Sequence, residues 1–214
     1  MRTISEIYKE YKIHIGLRMH MLRVAGVASL ICDDIDLPVE KDNIVTACLL
    51  HDMGNIIKSD LEYFPEFCEP EGLEYWLKVK EEFVSKYGNN EDVATDKIIR
   101  ELGLEKILGI WEAFGFLKVF SNRDNSDFNK KICYYSDLRV SPAGVVSMPE
   151  RVKEGRIRYT ELGLDFMEID REKKDKALAE IEQQIFSHCK IKPEDINDIS
   201  VAPIISKLKD FVIK

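Results

Sequence analysis

Four side chains in this 214-residue chain pair metal-binding chemistry with an apolar setting. His20 lies between Leu17 and Val24 on the apolar stripe of a predicted helix. His51 follows Ala47 and Cys48 by about one turn and is followed directly by Asp52. Asp137 comes one turn after Cys133, ahead of Leu138 and Val140. Burying a polar group without a partner costs about 2–7 kcal/mol, and a bare carboxylate more, so each of the four needs a partner on its dry face. One divalent cation shared by all four is the simplest solution. Two imidazoles and two carboxylates suit Mn, Fe, Co, Ni or Zn, and Mg less well. Taken singly, each residue also has an ordinary structural reading. His20 would be a core imidazole bonded to a carbonyl, and Asp137 a helix cap or a partner of Arg139.

The elements that must carry these residues read as helices. Leu17, Met21, Val24, Ala28 and Ile31 recur at steps of three and four, one face of a helix. Asp36-Leu37-Pro38 is expected to end it and to start the next helix with Pro in an early position. That next helix, through Ile44, Val45, Ala47, Cys48, Leu49 and Leu50, is apolar nearly all round and should be central, with Gly54 as its left-handed stop. Residues 56–72 read as a connecting loop broken by Pro65 and Pro70. Helices are expected over residues 73–87, closed by Gly88, and from an Asn89-Asn90 cap to Leu102. The pattern continues from Ile107 to Leu117, and residues 128–140 form a further helix. Residues 143–159 look less regular and rich in Arg. Leu178, Ile181 and Ile185 mark a late amphipathic helix, and residues 203–213 a last short one. Strand signals are nearly absent, so the expected class is all-α, a single domain over residues 1–214.

Composition limits the partners. Hydrophobic residues make up 45% of the chain and charged residues 33%, ordinary globular proportions. The net charge is −8, which argues against an extended nucleic-acid surface but not against a small phosphorylated ligand held by local cations. Charges interrupt every apolar run, so no membrane span is expected, and the N-terminus lacks the apolar core of a signal peptide. The five cysteines are scattered and without CxxC spacing. They read as buried small hydrophobes of a reducing, cytoplasmic compartment.

The order His20, then His51-Asp52, then Asp137, each on a helix, resembles the HD-domain metal-dependent phosphohydrolase superfamily. The segments that carry the resemblance are MHMLRVAGVA at 19–28, LLHDMGN at 49–55 and YYSDLRVSPAGVV at 134–146. It spans roughly residues 14–160, with residues 161–214 as C-terminal helices. The resemblance implies an HD-like helical bundle in which His20, His51, Asp52 and Asp137 ligate one divalent ion, and hydrolysis of a phosphoester of a small metabolite, nucleotides included. No His lies between His51 and Asp137, and His14 and His188 fall outside that interval, so a single metal is expected. His14 reads as a surface or helix-start residue and His188 as a solvated helix end. Family members carry acids three and eight positions after the HD aspartate. Here those positions hold Asn55, which can orient water but not take its proton, and Asp60, the preferred general acid/base. Lys58 and Arg18 are the favoured phosphate contacts, ahead of Arg23, Arg139, Arg151, Arg156 and Arg158. Phe64, Trp76, Tyr134, Tyr135 and Tyr159 offer rings for stacking, or fill the core. The rival expectation, favoured by Asn55, is a nucleotide- or metal-sensing module with a structural metal.

Overall fold

The computed structural model of the chain describes residues 1–161 and 171–214 and is 68% helical. The helices are α1 (Ile4–Glu10), α2 (Ile15–Asp34), α3 (Lys41–Leu50), α4 (Leu73–Tyr87), α5 (Glu91–Glu101), α6 (Leu108–Trp111), α7 (Val119–Asp124), α8 (Phe128–Asp137), α9 (Met148–Glu161), α10 (Arg171–Phe186) and α11 (Asp198–Leu208). Among the described residues, sheet is limited to two antiparallel pairs of two-residue strands, Arg2–Thr3 with Val212–Ile213 and Val140–Ser141 with Gly144–Val145.

The site rests on α2, α3 and α8, which pack against one another. Helix α2 starts at His14, whose Nδ1 accepts the Leu17 N–H at 3.3 Å, an N-cap made by a residue type that seldom serves there. By length and composition alone α2 is apolar enough to cross a membrane even with Arg18 and Arg23 in it, which corrects the expectation that no stretch approaches such a span. In the fold it is the central strut, in contact with α3, α8 and α11. Every residue of α3 from Ile44 to Leu50 is buried, as its all-round apolar character required. The Tyr8 hydroxyl of α1 donates to the Leu49 carbonyl at 2.6 Å and anchors the end of α3. Just past α8, the buried Arg139 guanidinium donates to the carbonyls of Val146, Pro193 and Ile196 and to the Tyr135 hydroxyl. This clamp fixes the helix end on which Asp137 sits.

Several boundaries differ from expectation, each for a local reason. Pro38 precedes α3 rather than entering its first turn, because α3 begins only at Lys41. Gly54 is not a left-handed stop. Its φ is −90°, and its role is close approach: a Cβ there would lie 2.3 Å from the Glu91 carbonyl and 2.8 Å from the Ala94 methyl. Gly88 and Gly103 do take the left-handed region, with φ of 94° and 71°. Val140 leaves α8 for a strand pair. The Arg-rich stretch is helix α9, and the last helix begins at Asp198, capped by Asn197, and carries Pro203 inside it.

Candidate metal centre

Three chain segments deliver the four donors. His20 stands in the second turn of α2, while the adjacent Met21 turns fully into the core. His51 is the C-terminal cap of α3, in helical conformation, and Asp52 follows as the chain turns away. Asp137 is the last residue of α8. Trp111 donates from its indole N–H to the His51 carbonyl at 3.1 Å, and the Phe114 ring stacks on the His51 ring at 4.5 Å and 15°. These two contacts lock the imidazole in place.

The donor atoms converge. His20 Nε2 lies 3.2 Å from His51 Nε2, 3.5 Å from Asp52 Oδ2 and 3.1 Å from Asp137 Oδ1. His51 Nε2 lies 3.5 Å from Asp52 Oδ2 and 3.6 Å from Asp137 Oδ1. Donors about 2.1 Å from one ion stand about 3.0–3.4 Å apart in cis-octahedral or tetrahedral geometry, so the spacing fits a single first-row cation. His20, His51 and Asp52 form a group that could hold a metal ion, their donor atoms all within 4.8 Å of one another. Asp137 adds a carboxylate against both imidazoles.

The protons fit as well. His51 Nδ1 faces the Cys48 carbonyl at 2.8 Å. A carbonyl only accepts, so Nδ1 carries a hydrogen and Nε2 faces the cluster, where its proton is the one that a bound cation would displace. Burial opposes charge on His51, but the carboxylates of Asp52 and Asp137 prevail and push its pKa up to about 10. Burial would raise the Asp137 carboxyl, yet hydrogen bonds from His20 and His51 hold it well below the usual range. A cluster that attracts positive charge this strongly is matched to a cation.

The cluster lies in the wall of a cavity of about 820 Å³, far larger than a phosphate requires. Its lining includes the rings of Tyr63, Phe64, Phe67 and His14 and the side chains of Arg23, Arg151, Arg156 and Arg158. Asn55, Lys58 and Asp60 also line it. Lys58 is ion-paired with Glu91 at 3.1 Å. Asp60 is exposed, and its Oδ1 accepts the N–H groups of Glu62 and Tyr63 at 3.1 and 3.2 Å, a turn-capping task. Arg18 is not in the wall; its guanidinium donates to the Ile13 carbonyl. Arg139 is the clamp described above and is not in the cavity wall. The arginines of α9 are in ion pairs, Arg151 and Arg158 with Glu154 at 2.9 and 2.7 Å and Arg156 with Asp175 at 2.6 Å. Of the aromatic candidates, Phe64 and Tyr134 line the cavity; Trp76 and Tyr135 are core residues bonded to Cys68 and Glu182. The side chain of Tyr159 lies outside the described residues.

Sequence reasoning passed over Asp92 and Lys118, which also line the cavity. Burial, with help from Glu91, raises the Asp92 carboxyl. In sequence it is an ordinary acid in the first turn of a helix. The signal was Gly54, whose missing Cβ lets α5 come against the HD turn, with the Gly54 N–H donating to Thr95 Oγ1 at 2.9 Å. His14 was expected at a surface or helix start. It starts α2 but is only 4% exposed and belongs to the cavity wall.

Fold and site together define an all-helical protein in which His20, His51 and Asp52 form a group that could hold a metal ion, with Asp137 against both imidazoles. The family model of the HD domain, which indicates a metal-dependent, hydrolase-type family, matches residues 18–114 of the chain. The matched range contains His20, His51 and Asp52, whereas Asp137 lies beyond it and enters the site through the packing of α8. Comparison with curated proteins and with solved structures gives no match.

Proposed function

We propose that this protein is a metal-dependent phosphohydrolase that cleaves a phosphoester of a small phosphorylated metabolite, with nucleotides among the candidate substrates. The observation that carries this reading is the convergence of four donor side chains in the wall of a cavity large enough for a whole metabolite. His20, His51, Asp52 and Asp137 would hold one divalent ion. Such an ion, when bound, supplies polarisation of a phosphoryl oxygen and a water of lowered pKa. The residues of the chain do the rest. Lys58 at the cavity wall offsets substrate charge, and the Asn55 amide orients a water without taking its proton. Asp92, whose carboxyl is raised, is better suited than Asp60 to protonate a leaving alkoxide, because Asp60 is engaged by two backbone N–H groups. A net charge of −8 supports a small substrate over a nucleic-acid polymer, and five unpaired cysteines support a reducing, cytoplasmic setting.

A sensing module is the second reading, supported by the same two residues: Asn55 stands where family members carry an acid, and Asp60 is occupied as a cap. One experiment separates the readings. The purified chain is expected to hold about one transition metal and to hydrolyse a chromogenic phosphoester, and Asp52→Ala to lose both. Metal without turnover across a phosphoester panel favours the sensor. Full activity in Asp52→Ala defeats both.

A further inference from the structure

Three buried side-chain atoms among the described residues have no hydrogen-bond partner: His14 Nε2, Tyr134 Oη and Ser136 Oγ. Of these residues, His14 and Tyr134 line the cavity and Ser136 does not. Tyr134 stands on α8 three residues before Asp137, so the two side chains project from the same helical face. It is 2% exposed. The other buried tyrosines are satisfied: the hydroxyl of Tyr8 bonds the Leu49 carbonyl, that of Tyr87 the Glu101 carboxylate and that of Tyr135 the Glu182 carboxylate. Tyr134 is the exception, and it is the one beside the cluster. An unpaired buried hydroxyl is costly, and one that belongs to a cavity wall can be completed by a ligand. Burial, reinforced by the Asp137 carboxylate, raises the phenol pKa, so the proton stays on the oxygen and faces any anion as a donor.

Resting on the hydrolase reading above, we propose that the Tyr134 hydroxyl donates a hydrogen bond to the phosphoryl group of the substrate next to the four-residue cluster. Tyr134 is thus a substrate contact rather than a core residue or a stacking platform. The test compares wild type with Tyr134→Phe, which removes only the hydroxyl. Inorganic phosphate is titrated calorimetrically into the Mn²⁺-supplied chain, and melting temperature and phosphoester turnover are measured in parallel. The expected result has opposite signs on stability and binding. The melting temperature of the variant stays level or rises, because an unsatisfied polar atom has gone. Its affinity for phosphate falls by about tenfold to a hundredfold, the loss expected for a hydrogen bond to a charged group.

Phosphate affinities within twofold of each other, or a wild type that binds no phosphate, overturn the assignment. So does a melting temperature lowered by several degrees, since the hydroxyl would then have a partner within the fold. The two readings fail separately. Equal phosphate affinity in two proteins that both hydrolyse esters removes the role of Tyr134 alone. Weakened phosphate binding in the variant, with no turnover by wild type, removes hydrolysis alone and upholds the contact.

Discussion

His51 and His14 line one cavity, are 5% and 4% exposed, and behave in opposite ways. Burial disfavours the imidazolium at both. At His51 two carboxylates outweigh it and push the pKa up to about 10; at His14 burial, aided by the positive charge of Arg18, holds it down to about 4. The backbone decides which nitrogen each ring can offer. The Cys48 carbonyl takes the Nδ1 proton of His51 and leaves Nε2 for a cation. The Leu17 N–H uses the Nδ1 lone pair of His14 and leaves only an N–H donor on the cavity side of the ring. A histidine in a cavity wall is therefore a ligand or a donor according to one main-chain contact, and the residue type alone does not say which.

The largest test of this contrast removes a carboxylate from the His51 end. Asp137→Asn keeps the volume and deletes the charge. Metal affinity, measured by titration calorimetry with Mn²⁺, is expected to fall by at least about a hundredfold, above the range seen for loss of an outer-shell partner. An unchanged affinity would show that Asp137, which lies beyond the matched HD segment, is not a ligand.

Much of the His51 end was legible in the sequence. The stripe around His20, the apolar helix leading to His51-Asp52 and the helix ending at Asp137 each follow from helical period, and their order matches a known pattern. The His14 end was not legible. Its burial depends on Phe67 and Trp76, whose rings flank it at 6.2 and 5.8 Å, the first from within a proline-broken loop and the second from beyond it. Asp92 was hidden for the same reason. Its place depends on how α5 packs on Gly54, a long-range contact with no local period. Arg18 misled because proximity to His20 in sequence is not proximity on the helix: residues two apart point away from each other. Residues 143–159 were read as irregular because their apolar residues follow no clear helical period, yet from Met148 the segment is a helix whose arginines pair with nearby acids.

The His14 end makes its own prediction in pH. Exposed in the unfolded chain, the imidazole titrates at its ordinary 6.5; folded, it is held near 4. Above pH 6.5 it is neutral in both states and costs nothing. Between 6.5 and 4 the unfolded chain binds a proton that the folded chain does not, so stability falls as the pH falls. The loss sums to about 3 kcal/mol once the pH is below both values. Protonation would also place a hydrogen on the nitrogen that caps α2. His14→Asn retains a capping side chain and removes the titration. Urea denaturation at pH 7.5 and pH 4.5 is expected to show a smaller loss of stability on acidification for the variant than for wild type. Parallel losses in the two proteins would mean that His14 does not contribute to acid sensitivity.

The smallest test uses the glycines beside the two histidines. At Gly54 a methyl would meet a main-chain carbonyl at 2.3 Å, which cannot yield without moving α5. At Gly16 it would meet the Phe67 ring at 2.6 Å, and a side chain can turn aside. Gly54→Ala is therefore expected to destabilise the chain by about 1–3 kcal/mol and to weaken metal binding, because the HD turn moves with α5. Gly16→Ala should cost about 1 kcal/mol or less, reshape the aromatic lining and leave metal affinity within twofold of wild type. Equal effects of the two variants on metal affinity would show that the surroundings of the two histidines are mechanically coupled. That would remove the separation on which the contrast between His51 and His14 depends.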